Sequence, residues 1–119
     1  MVVGKEYTAD MDGDKGINIW LDDMRDAPNG WIHLHNIEEV EKLVGLMLQK
    51  ENFYINEMSF DFHLNHPKQG VDVMKYLVGL CKQHKTKRFW PKIIHYHSND
   101  PNGVKIMQEF AAVAEKEIL

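Results

Sequence analysis

The chain reads as an α/β domain built on a mainly parallel four-stranded sheet. Two observations predict this. Short apolar runs at residues 17–21, 53–61 and 93–97 alternate with longer stretches of helical periodicity, and strands separated by helices imply parallel pairing through right-handed crossovers. Each of these runs also ends in polar, chemistry-bearing residues: Asp22-Asp23, Asp61 and His97-Ser98. In an open α/β sheet such groups meet at the carboxyl edge, where ligands bind.

The 119 residues favour one domain with one core. The composition, 44% hydrophobic and 27% charged, is that of a folded soluble chain. A net charge of −4 argues against a general nucleic-acid or acidic-membrane binder, while leaving room for a local basic patch. The single Cys81 excludes an internal disulfide and falls on a helical apolar stripe, so it reads as core. No run approaches a membrane span and no signal-peptide pattern opens the chain, so a cytoplasmic protein is expected.

Residues 1–16 read as a polar lead-in. Their Asp10, Asp12 and Asp14 resemble the start of a calcium loop, but the closing Glu would fall at Leu21. Residues 17–21 form the first strand and residues 24–30 a loop marked by Pro28 and Asn29-Gly30. Residues 31–35 are a short second strand, with Trp31, His33 and His35 on one side.

Asn36 is the expected N-cap of a helix over 37–50, with Glu39 at the capping-box position. The third strand follows within 53–61. A loop then leads to a helix over 71–84, striped by Val71, Met74, Leu77, Val78 and Cys81. The basic run from Lys82 to Arg88 suits the end of a helix dipole, or alternatively a phosphate. After the fourth strand, Asn99 or Asp100 caps a final helix that admits Pro101 in its first turn. The expected strand order is 2-1-3-4.

Asp22, Asp23 and Asp61 at one edge suit a hard divalent cation, Mg²⁺ with Mn²⁺ as its substitute. Without one, carboxylates so close repel. Arg25 has two readings, a partner of these carboxylates or of a phosphate. His97 suits general acid/base chemistry near neutral pH, and Ser98 and the backbone around Gly103 suit phosphoryl oxygens. A zinc site from His63, His66 and His97 is conceivable but lacks a recognised spacing. Trp20, Trp31 and Trp90 read as core, with base-stacking platforms as the alternative.

Four blocks, in order, carry a resemblance. These are Ile19-Trp20-Leu21-Asp22-Asp23-Met24-Arg25-Asp26-Ala27-Pro28 with Gly30-Trp31, then Ser59-Phe60-Asp61, then Gly70-Val71-Asp72-Val73. The last is His97-Ser98 with Pro101, Gly103 and Met107. Together they resemble the cyclic-phosphate processing receiver domains, relatives of response-regulator receivers. That resemblance implies a flavodoxin-like, three-layer fold, Mg²⁺ on Asp22 and Asp23, and Asp61 at the receiver phospho-acceptor position. Two positions depart from the family pattern. Asp61-Phe62-His63-Leu64 stands where Asp-His-Asp-Leu is usual, and Asp100 where Asn is usual. His63 is the substitute proton carrier that the first departure offers.

The leading expectation is a Mg²⁺-dependent phosphoesterase acting on a cyclic or terminal phosphate of a nucleotide or RNA end. Asp61, His97 and His63 would be catalytic, Arg25, Ser98 and Gly103 substrate-binding, and Asp22, Asp23 and Asp61 metal-holding. The alternatives are a receiver-like module that binds a phosphorylated ligand or partner without turnover, and a phospho-accepting receiver. The absence of a lysine directly after the fourth strand disfavours the last.

Overall fold

The structure, a computed structural model, describes residues 15–118. The acidic run from Asp10 to Asp14 lies outside the described residues. Seven elements follow in order: β1 (Lys15–Leu21), β2 (Ile32–Leu34), α1 (Ile37–Met47), β3 (Phe53–Phe60), α2 (Gly70–His84), β4 (Ile93–Tyr96) and α3 (Pro101–Ile118). The sheet order is β2-β1-β3-β4 and every pairing is parallel, as the alternation of strand and helix requires.

Some element ends differ from the sequence reading. The first strand begins two residues early, at Lys15, because its ladder to β3 already opens at Lys15–Phe53. The first helix stops at Met47 rather than near residue 50; Gln49 and Lys50 donate backwards to Leu46 and Met47 in a tight turn. Asn36 does cap it, its Oδ1 accepting from the Glu39 amide at 3.0 Å. The capping box is shifted, however: Glu39 Oε1 accepts from the His35 amide, one residue before the cap.

Ile17, Ile19 and Leu21 share one face of β1, and Met58 and Phe60 stand beside them on β3. These residues join Val40, Val44, Leu77, Met107 and Ala111 in a single hydrophobic cluster, so all three helices pack on that face. Cys81 lies within it, and burial pushes its thiol up, as a core cysteine requires. Trp90 also belongs to the core, with its Nε1 donating to Glu115 at 3.2 Å.

The opposite face of the sheet carries Asn18 and Trp20 from β1, Tyr54 and Ser59 from β3, and His95 from β4. By the right-handed rule the β1–β2 crossover runs over this side, and residues 22–31 make it as a loop, not a helix. The described residues thus supply two of the three layers, a sheet and one layer of helices. No described helix is long and apolar enough to cross a membrane.

Candidate functional site

The backbone ladder runs one residue past each strand. Asp22 N donates to Leu34 O, Asp61 N to Leu21 O and His97 N to Phe60 O. Three strand ends are thereby held in register, and their side chains converge at the carboxyl edge.

Asp22 is the centre of that edge. It is 1% exposed, and its carboxylate accepts four hydrogen bonds. Oδ1 takes the amides of Met24 and Arg25 at 2.8 and 2.9 Å. Oδ2 takes Arg25 Nε at 2.9 Å and His97 Nε2 at 3.0 Å. Burial pushes the carboxyl up, but the two amides, the Arg25 charge and His97 outweigh it and hold the group below the usual range. Arg25 Nη2 also approaches Asp61 Oδ2 at 3.6 Å, so one guanidinium bridges the two buried carboxylates. Of the two readings of Arg25, this arrangement shows the carboxylate partner.

His97 is fixed from three sides. Its Nε2 faces Asp22, its Nδ1 lies 2.7 Å from Ser59 Oγ, and its ring stacks on Trp20 at 3.8 Å between centroids with 7° between planes. Burial lowers its pKa, and Asp22 and Asp61 only partly restore it. The neutral ring that results carries its proton on Nε2, because Asp22 can only accept there; Ser59 then donates to Nδ1. Both ring nitrogens are committed within this network.

Beside the network opens a cleft of about 560 Å³, faced by Asp23, Arg25, Asp61, His63, Ser98 and Asp100. His63 stands exposed on its wall, with Nε2 2.6 Å from Asp100 Oδ2. The other oxygen of Asp100 accepts the amides of Asn102 and Gly103, and so caps α3. The Gly103 amide, the His63 partnership and the Asn102 amide together hold the Asp100 carboxyl below its usual range. Of the two cap candidates, Asp100 therefore takes the role. Ser98 Oγ accepts from the Asp100 amide at 3.2 Å.

Two glycines let the helices close on this loop. A Cβ at Gly70 would collide with the Asp61 carbonyl oxygen, and one at Gly103 would lie 2.5 Å from Phe62 Cγ. The amide of Gly103 is already taken by Asp100, so this residue contributes close packing beneath the cleft. Phe62 packs its side chain against Gly103 at the start of α3.

A match to the family described as the cyclic-phosphate processing receiver domain spans residues 17–112. The chain belongs to that family. No match was found among curated proteins or among solved structures. The receiver-like, flavodoxin-like fold expected from the four sequence blocks is the one observed.

Among the described residues of this receiver-like domain, the group that could hold a metal is Asp22, Asp61 and His97, whose ligand atoms all lie within 4.8 Å of one another. Two carboxylates fit a hard cation, and the imidazole suits Mn²⁺ better than Mg²⁺. Asp22 has no spare oxygen, though, while Arg25 holds it, so a cation and the Arg25 bridge compete for the same place. Asp23 lies outside this group and faces the cleft with Asp61. His66 pairs with Glu38 and His63 with Asp100, so neither reaches His97.

Trp20 departs from the core reading: it stacks on His97, and its Nε1 donates to the Arg25 carbonyl. Strand alternation carried the signal, since Ile17, Ile19 and Leu21 occupy the core face and leave Trp20 on the other. Ser59 as the partner of His97 had the same signal, two residues before Asp61. The Asp100 partnership with His63 had no local signal, because the pair is joined only in space.

Proposed function

We propose that this domain hydrolyses a cyclic or terminal phosphate ester of a nucleotide or RNA end with the help of a divalent cation. One observation carries the reading: Arg25, Asp61, Asp23, Ser98 and His63 face a single open cleft at the carboxyl edge of the sheet. That set supplies a cation for phosphoryl oxygens, carboxylates for a metal, and a proton carrier.

For a 2′,3′-cyclic phosphate, water attacks phosphorus, one P–O ester bond breaks, and a phosphomonoester remains. One proton leaves the water and one is delivered to the departing ribose oxygen. In this reading His63, exposed on the cleft and bonded to Asp100, takes the proton from the water and delivers it to that oxygen. His97, with both nitrogens committed, holds Asp22 in position. Bound by Asp22 and Asp61, a divalent cation would supply charge stabilisation at the phosphoryl oxygens. Arg25, released from the carboxylates by that cation, would bind the same phosphate.

The test is turnover of 2′,3′-cyclic nucleotides and phosphorylated RNA ends with Mg²⁺ or Mn²⁺, beside Asp61→Asn and His63→Ala. Product that disappears with Asp61→Asn supports the enzyme. Turnover that survives both substitutions sinks it.

A second reading, a module that binds a phosphorylated ligand without turnover, is favoured by a different observation. No buried side-chain polar atom among the described residues lacks a hydrogen-bond partner, so the buried carboxylates of the edge are satisfied by Arg25, His97 and backbone amides. Tight binding of a nucleoside phosphate, insensitive to metal and without product, would single that reading out.

A further inference from the structure

Among the described residues no helix covers the second face of the sheet, which is uncommon for an all-parallel sheet; the loop of residues 22–31 crosses it at the carboxyl end. Its composition is unlike that of a face awaiting a helix. Of the large hydrophobic residues that stand exposed, only Ile93 lies on it. The rest is polar or aromatic: Asn18 bonds to Asn56 across the strands, and His95 to Glu57.

The aromatic groups form a track. At the carboxyl end, Trp31 meets Trp20 edge-to-face at 6.2 Å and His95 at the same separation, and Trp20 in turn stacks on His97 of the candidate site. At the other end the Tyr54 ring lies over Gly16, with Lys92 Nζ 4.3 Å from its centre. Trp20 and Gly16 are four residues apart on β1, a span of about 13 Å.

Beyond Tyr54, at the amino end of the sheet, lies a cavity of about 570 Å³ that reaches round to Glu115 and Ile118 of α3 on the helical side and is lined also by Lys87, Arg88, Trp90 and Lys92. The one carboxylate there already accepts from Trp90. Arg88 is committed to the carbonyls of Met47, Lys50 and Phe53. Lys87 and Lys92 are therefore the charges this end offers to an anion, in a chain whose net charge is −4.

We propose that this helix-free face is the track for single-stranded nucleic acid, whose phosphate end is delivered to the carboxyl edge. The proposal rests on the phosphoesterase reading of that edge and names its substrate as an oligonucleotide rather than a free nucleotide. Three properties select this occupant. Aromatic rings stack bases without needing sequence, as four-stranded sheets do with about two or three bases, and here His95 is exposed while Trp20, Trp31 and Tyr54 are half-buried. Lysines at the far end match a phosphate backbone. The track is continuous with the candidate site through the Trp31–Trp20–His97 stack.

The experiment measures binding of a fluorescein-labelled single-stranded RNA oligonucleotide by anisotropy, with mononucleotide 2′,3′-cyclic phosphate turnover run in parallel. Tyr54→Ala is expected to weaken oligonucleotide binding about tenfold. Lys92→Gln is expected to make the salt dependence shallower by roughly 0.7 in log–log slope. Both should leave mononucleotide turnover unchanged. Lys92→Gln, on an exposed side chain, keeps the test valid if Tyr54→Ala fails to fold. Oligonucleotide binding unaffected by either substitution, or no binding by the native protein, overturns the proposal. So does a concentration-dependent dimer by sedimentation that Tyr54→Ala breaks, because the face would then belong to a second copy. Binding that follows the predicted pattern without any turnover supports the track and refutes the enzyme reading instead.

Discussion

A carboxylate removed from water needs a full set of donors, and Asp22 has one: two amides, a guanidinium and an imidazole. The sequence places Asp22, Asp61 and His97 at neighbouring strand ends, so their meeting is legible from periodicity alone. How the resulting repulsion is relieved is not, because Arg25 lies on a loop whose path the pattern leaves open. Arg25 is the internal counter-ion, and a metal ion would have to replace it. Arg25→Gln should therefore destabilise the metal-free protein by about 1–2 kcal/mol. This is less than the roughly 3–5 kcal/mol for truncating a fully buried pair, since the Arg25 side chain is 46% exposed and partly screened. In the variant, added Mg²⁺ or Mn²⁺ should raise the melting temperature more than it does in the native protein. Equal shifts in the two proteins, measured by thermal denaturation across a metal titration, would show that the cation does not occupy the place of the guanidinium.

At the scale of elements, the strands and helices are legible because apolar spacing switches cleanly between their two periods. The ends are less so. Helix α1 stops at Met47 because the chain turns back on itself there, and a register shift between Ile17 and Asn18 in the β1–β3 ladder has no trace in composition. The contacts between element ends also escape a one-dimensional pattern, and Phe62 is the instructive case. Its ring occupies the space that the missing Cβ of Gly103 leaves at the start of α3. Gly103→Ala should cost about 1–3 kcal/mol by overpacking against that ring. In a Phe62→Ala background the same substitution should cost less, since the ring atoms Cγ and Cδ2 are gone and only Cβ, 2.8 Å away, remains to be accommodated. A double-mutant cycle by urea denaturation checks this, and additive costs would show that Gly103 is required for its backbone alone.

Over the whole molecule, the strand order β2-β1-β3-β4 follows from the sequence of elements. The one-sided layering follows only in part, because the loop between β1 and β2 is marked by Pro28 and Asn29-Gly30 but the face on which α3 packs is not. With all three helices on one face, the hydrophobic residues of helices and strands share one cluster, and Leu77 lies inside it with no exposure. A shared core makes the sheet and helices thermodynamically dependent on each other, so unfolding should be a single transition. Leu77→Ala removes packing from the centre of that cluster and should cost about 2–5 kcal/mol. Trp90, buried in the same core and bonded to Glu115 of α3, reports on tertiary structure, and far-UV circular dichroism on the helices. The two probes should give coincident urea midpoints in the native protein and midpoints shifted by the same amount in Leu77→Ala. Fluorescence and dichroism midpoints that separate in the variant would show that the helical layer holds together without the sheet. The carboxyl edge could then lose its geometry while most of the secondary structure persists.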